Sequence, residues 1–312
     1  MTVARARRGV RGVARRLPEP IKRVLRRIVS ADRFAPPPAI RRFDLRLPAP
    51  PARHLTRAAL QIEVPWRMYV PRRLEADGLA RYEPEAMAVF LAAIERDPDR
   101  SVFDVGANVG VFSVVASATT DATVVGFEPT PDLAATFRSI VTANGLECIV
   151  EELALGATSG RATLHLSDIT DSSNSLRSGF RPGTRVVDVG LERLDDYIAR
   201  TGRTPGVLKI DTESTEPDVL RGALEMLRTA RPWMVCEVLA GRTEVELMEI
   251  LRPLGYRWYP LADHLPAEEA DEIRGDPTYR HLDWLFVPEP PDDAFWSSAR
   301  AWRTALESTS RR

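Results

Sequence analysis

From about residue 101 to residue 259, short continuously apolar runs alternate with segments whose apolar residues recur at helical spacing. The runs are SVFDV (101–105), TVVGF (123–127), CIVEEL (148–153), VLKID (207–211) and WMVCEV (233–238). A run that is apolar throughout is a strand buried on both faces, and intervening helices return the chain so that successive strands run parallel. The pattern therefore predicts an α/β fold of Rossmann-like type, a mostly parallel seven-stranded sheet with helices on both faces. YRWY (256–259) and DWLFV (283–287) complete the sheet.

Punctuation supports the helices. Pro84 suits a first helical position ahead of Met87, Phe90, Leu91 and Ile94. Pro131 opens a helix with Leu133, Phe137, Ile140 and Val141 inward, stopped by Asn144-Gly145. Thr215 with Asp218, and Thr243 with Glu246, read as capping boxes. RATLHL (161–166) and RVVDV (185–189) read as strands outside the regular alternation, with the polar loop DSSNS (171–175) between them.

The chemistry concentrates where strands end. Asp104-Val-Gly106-Ala107-Asn108-Val-Gly110 lies directly between a buried strand and a helix. Glycines there permit a tight turn and close approach of a ligand to the backbone, and the helix N-terminus offers free N–H groups. A dinucleotide-binding turn has the spacing G-x-G-x-x-G and receives a pyrophosphate. Here a carboxylate, Asp104, precedes the turn; it repels a pyrophosphate and attracts the ammonium of S-adenosylmethionine. Glu128, at the end of the second strand, stands about 20 residues on, where an acid accepts ribose hydroxyls. Leu153, ending the third strand, is a wall for adenine. The bland alternatives are a ligand-free turn, a solvent-facing Glu128 and core packing for Leu153.

Lys209, Asp211 and Glu213 alternate at the carboxyl end of a central strand, where open α/β sheets place ligands. Methyl transfer to a hydroxyl needs a group to take the proton. Asp211 or Glu213 is the expected base or acceptor-orienting group; the alternative is a structural ion pair between Lys209 and Asp211. His165 and the DSSNS loop are further candidates for an acceptor pocket, and a lone His is more often structural. His54, His264 and His281 lack ligand-like spacing, so no metal site is expected.

VFDVGANVGVFS (102–113), GFEPTPDL (126–133), the Asn144 helix end, ALG (154–156) and VLKIDTESTEPDVLRGA (207–223) together resemble the FkbM-type methyltransferases, with WMVCEV as the closing strand. The resemblance covers roughly residues 80–240. It implies the class I methyltransferase fold, S-adenosylmethionine as cofactor, and O-methylation of a hydroxyl on a sugar, glycan or secondary metabolite. It also makes Tyr82-Glu83 a segment that closes over the donor. The family's usual Lys-x-Asp-x-Glu-Gly-x-Glu is matched by Lys209, Asp211, Glu213 and Glu216, but Ser214-Thr215 replaces Gly and a small residue. Ser tolerates positive φ poorly, which puts the turn in doubt.

Charge divides the chain. Residues 1–33 hold 11 basic side chains against Glu19 and Asp32, about +9, while the whole chain is at -1, leaving about -10 elsewhere. Ile21, Val24, Leu25, Ile28 and Val29 give this arm a short amphipathic helix, suited to weak contact with an anionic membrane or a partner protein. The expected organisation is the arm at 1–33, a Pro-rich linker and lead-in at 34–80, the methyltransferase domain at 81–290 and a helical tail at 291–312. Two cysteines and no continuous apolar stretch of membrane-spanning length suggest a reducing, cytoplasmic setting. The acidic body gives no strong nucleic-acid signal. A non-catalytic donor-binding protein, a nucleic-acid methyltransferase gripping phosphates through the arm, and a NAD enzyme are the competing readings; oligomeric state is open.

Overall fold

The computed structural model describes residues 40–49, 57–167, 174–177 and 185–310. The basic arm, residues 34–39 and 50–56 of the Pro-rich segment and Asp171–Ser173 of the polar loop lie outside the described residues. The chain divides into residues 1–41 and 42–312, and the architecture below is that of the second unit.

The chain enters through β1 (Ile40–Arg46) and β2 (Ala59–Pro65), followed by α1 (Tyr69–Asp77) and α2 (Pro84–Arg96). Then come β3 (Ser101–Val105), α3 (Val111–Thr119), β4 (Val124–Phe127), α4 (Pro131–Ala143) and β5 (Cys148–Glu151). A side sheet of β6 (Ala154–Leu155), β7 (Gly160–Leu166) and β8 (Arg185–Glu192) interrupts the alternation. The main sheet resumes with α5 (Leu194–Thr201), β9 (Pro205–Ile210), α6 (Glu216–Arg221), α7 (Leu224–Thr229), β10 (Trp233–Glu237), α8 (Glu244–Leu251), β11 (Arg257–Pro260) and β12 (Asp283–Val287). The chain then forms α9 (Asp293–Glu307).

The seven-stranded order is β11-β12-β10-β9-β3-β4-β5, with β12 antiparallel to both its neighbours and the central pairs parallel. The expected doubly covered sheet is observed, and residue alternation shows why it forms. In β10, Trp233 and Val235 face the core beneath α2, α3 and α9, while Met234 and Cys236 face the core under α5 to α8. In β3, Val102 takes the first side and Phe103 and Val105 the second. Asp104 and Lys209 are register partners across β3 and β9, so their side chains share one face.

Residues 34–53, the Pro-rich part of the 34–80 segment, were expected to be an extended linker with no core of its own. Leu45 is instead buried with the main core, together with Leu60, Ile62, Val64 and Leu74. The prolines interrupt this segment without preventing β1 and β2, in which Phe43 and Leu45, and Leu60, Ile62 and Val64, alternate with polar residues. The helix foreseen after Thr215 is divided into α6 and α7. Neither expected capping box forms: Thr215 and Thr243 occupy N-cap positions without side-chain cap bonds, because their backbones are not extended there. The next residue acts instead. Glu216 and Glu244 each turn a carboxylate back to amides of the preceding loop. The C-terminal helix is capped by Asp292, which accepts from Phe295 N at 2.8 Å, and it buries Phe295, Trp296 and Trp302.

Candidate active site

One pocket opens over the carboxyl ends of β3, β4, β9 and β10 and includes Asp104, Gly106, Ala107, Asn108, Glu128, Leu153, Lys209, Asp211 and Glu213 in its lining. Every residue expected to hold the donor, Gly110 excepted, is thus brought to one place with Lys209, Asp211 and Glu213. Gly110 stands behind the loop at φ +81°, where an added Cβ would lie 2.2 Å from the Phe137 ring. It is a packing glycine.

The turn after β3 is built by internal hydrogen bonds. Gly106 N and Ala107 N both donate to Phe127 O, at 3.0 and 2.9 Å. Asn108 N donates to Glu128 Oε2 at 2.9 Å, and Val109 N to the Asn108 side chain at 2.8 Å. Ser113 N and Oγ donate to Asp104 Oδ2 at 3.1 and 2.7 Å. The turn was expected to present these N–H groups to a ligand; they are committed within the protein. Gly106 has φ +82°, and a Cβ there would fall 1.8 Å from the Asp211 carbonyl oxygen. Its missing side chain lets the ends of β3 and β9 close on each other.

Asp104 and Glu128 are buried, at 3% and 5% exposure. Burial pushes the Asp104 carboxyl up to about 6 and the Glu128 carboxyl up to about 7, against the lowering pull of their hydrogen bonds. Asp104, expected to face a ligand ammonium, lines the pocket while its Oδ2 secures the first turn of α3. Glu128 likewise holds Thr130 N at 2.7 Å through Oε1. Each Glu128 oxygen retains a second lone pair for a pocket ligand, whereas Asp104 Oδ2 already accepts two bonds.

Lys209, 1% exposed, has its Nζ 3.2 Å from Asp283 Oδ1 and 3.5 Å from Asp211 Oδ2, with the Phe112 ring 5.1 Å away. Burial works to lower its pKa, but the carboxylates of Asp283 and Asp211 hold it well above the usual lysine range. A cation so enclosed anchors Asp211 and does not itself move a proton. Beyond Asp211 the backbone turns left-handed at Glu213 (φ +55°) and Ser214 (φ +81°). The turn that Ser214 put in doubt therefore forms, with Ser in a conformation suited to Gly. Glu216 holds it, accepting at Oε1 from Thr212 N, Thr212 Oγ1 and Ser214 N at 2.9, 3.1 and 3.1 Å.

Several pocket residues were not foreseen. Glu237 ends β10, is 7% exposed, and leaves Oε2 without a hydrogen-bond partner. Burial raises its carboxyl well above the usual range, with the Asp211 and Glu213 charges adding to the effect. Its position at a strand end was the available signal. Asp283 pairs in register with Glu237 because β12 runs antiparallel, bringing its first residue to the ligand edge. Tyr69 and Arg73 line the pocket from α1. Tyr82 and Glu83, expected near the donor, also line it; Glu83 sits at φ +44° and burial pushes its carboxyl up to about 8.

From the polar loop, Asn174 and Ser175 line the pocket and are tied down, Asn174 Nδ2 to Thr130 Oγ1 at 3.4 Å and Ser175 Oγ to Glu213 O at 2.8 Å. His165 is outside the lining; its backbone pairs with that of Ser175.

The strand order, with one antiparallel strand second from an edge, and a pocket over the carboxyl ends of the central strands define a class I methyltransferase fold. Residues 104–258 match the family described as Methyltransferase FkbM domain, the family that the sequence motifs resemble. Among solved structures, a methyltransferase FkbM from Methylobacillus flagellatus is 16% identical at TM-score 0.38, covering 61% of this chain and 43% of that one. An SAM-dependent methyltransferase from Agrobacterium tumefaciens is 11% identical at TM-score 0.41, with 80% and 70% covered. A magnesium protoporphyrin IX methyltransferase from Synechocystis, with bound SAM, is 12% identical at TM-score 0.37, with 67% and 79% covered. The chain thus spans less than half of the first of these proteins. No curated protein matches the sequence.

Proposed function

We propose that the protein transfers a methyl group from S-adenosylmethionine to a hydroxyl of a small molecule or glycan. The observation that carries this reading is the chemistry of the pocket wall. Six acids, Glu83, Asp104, Glu128, Asp211, Glu213 and Glu237, line it beside two bases, Arg73 and Lys209, and the turn amides that would hold a pyrophosphate are already bonded. Such a site suits a ligand with cationic centres and an uncharged nucleoside end, and disfavours NAD. Glu128 would hold the ribose, Leu153, Leu155 and Phe127 the adenine, and the Asp104–Asn108 turn the sulfonium-bearing portion beyond the ribose. When bound, the donor supplies an electrophilic methyl on sulfonium.

Asp211 and Glu213 remain the proposed base or orienting groups for the acceptor hydroxyl, with Lys209 holding Asp211 in place through the 3.5 Å ion pair. Asn174 and Ser175, fastened across the mouth, offer hydrogen bonds to a polyhydroxylated acceptor. Among the described residues no helix is long and apolar enough to cross a membrane. A reducing, cytoplasmic setting stays a proposal resting on the sequence. The weak membrane or protein contact suggested for residues 1–33 stays a proposal resting on their charge and the spacing of their apolar residues.

The test is transfer of tritiated methyl from S-adenosylmethionine to a panel of hydroxylated sugars and metabolites, in wild type and Asp211→Asn. Labelled methyl ether formed by wild type and reduced on the order of 100-fold in the variant supports the assignment. Transfer to amines or to nucleic acid, with no hydroxyl labelled, overturns it.

A further inference from the structure

The lining residues follow the sheet in a fixed order. Leu153 lies past β5, Glu128 ends β4, Asp104 ends β3, and Lys209 and Asp211 end β9. Adjacent strands stand about 4.8 Å apart, so β5 to β9 spans about 14 Å. Glu83 continues the series on the far side, because its carboxyl feels the charges of Asp283, Lys209, Asp211 and Arg73. With adenine at Leu153 and ribose at Glu128, the amino-acid end of the donor falls at Glu83 and Arg73.

That end carries a carboxylate, and the wall near it is otherwise acidic. Of the two bases lining the pocket, Lys209 is already enclosed by Asp211 and Asp283. Arg73 is exposed at the rim, makes no ion pair within 4 Å among the described residues, and donates one hydrogen bond, Nη2 to Arg81 O at 3.2 Å. A guanidinium has five N–H donors in a fork that matches a carboxylate. Glu83, with its carboxyl pushed up to about 8 by burial, is largely protonated at neutral pH and leaves the Arg73 charge available.

Resting on the donor reading above, we propose that Arg73, from a helix preceding the matched family domain, binds the carboxylate of the methyl donor's amino-acid portion. α1 thereby acts as one side of the donor site, and Tyr69, one turn earlier on the same helix, flanks it.

The test is calorimetric titration of the full chain with S-adenosylhomocysteine and with its decarboxylated analogue. These differ only in the carboxylate. Wild type is expected to prefer S-adenosylhomocysteine roughly tenfold, the range for a charge-assisted fork partly exposed to water. Arg73→Gln brings that ratio close to one, and Arg73→Lys keeps part of it, since a point charge replaces the fork. Glu128→Gln weakens both ligands together and preserves the ratio. Equal affinity of wild type for the two ligands, or an undiminished preference in Arg73→Gln, overturns the assignment of Arg73 while leaving donor binding intact. Failure of wild type to bind either ligand overturns the donor reading itself.

Discussion

Ser214 holds a left-handed backbone conformation with its hydroxyl buried and unbonded. Both features disfavour the folded state, the first by about 1 kcal/mol or more for a residue other than Gly. Ser214→Gly is therefore expected to raise stability by about 1 kcal/mol, read as a thermal midpoint about 2–4 °C higher. Gly106 has the opposite sensitivity. A methyl there meets the Asp211 carbonyl at 1.8 Å, backbone against backbone, at φ +82°. Gly106→Ala should destabilise the fold by about 2–4 kcal/mol in denaturant titrations and weaken donor binding through displacement of Asp211. Both residues sit where sequence reading pointed to a ligand, yet each is dictated first by how two strand ends meet. The sequence marks a special backbone position at Gly106; it does not say which neighbour makes it special.

At the scale of elements, Asn144 shows how a residue can serve two of them. It ends α4, as its Asn-Gly pair suggested. Its side chain also forms a miniature strand edge for β2, Oδ1 accepting from Gln61 N and Nδ2 donating to Gln61 O, both at 2.8 Å. Asn144→Ala strands both backbone groups of Gln61 and should cost about 2–3 kcal/mol, measured by chemical denaturation, with β1 and β2 the first amides to lose hydrogen-exchange protection. The main-sheet strands were legible because strands buried on both faces leave long apolar runs. β1 and β2 were hidden among prolines, and their every-second apolar residues were too few to stand out. The side sheet's place beside the pocket was equally hidden: β7 pairs with β8 across residues 167–184, a separation that local periodicity does not bridge. Asp283 was missed because a strand's direction, which decides the end at which its first residue lies, is set by pairing and not by its own sequence.

For the molecule as a whole, the buried carboxyls tie stability and binding to pH in opposite senses. Asp104 at about 6 and Glu128 at about 7 hold protons in the folded chain that the unfolded chain releases near pH 4. Their contribution to stability is complete below about pH 4 and is lost as pH rises through 6 and 7. The ligand-free protein should therefore unfold at a lower temperature at pH 8 than at pH 6, with a smaller difference in Glu128→Gln. A cationic donor favours the ionised carboxylates, so its affinity should rise across the same interval. Asp104 and Glu128, which lower stability as pH rises, are thus among the six acids proposed to attract the donor.

The central claim is that this acidic, amide-poor pocket receives S-adenosylmethionine. Calorimetric titration of the full chain with S-adenosylmethionine and, separately, with NAD tests it most directly. The account predicts saturable binding of S-adenosylmethionine at micromolar concentrations, weakened on the order of tenfold by Glu128→Gln, and no binding of NAD. Binding of NAD in its place, or of neither ligand by folded protein, would contradict it.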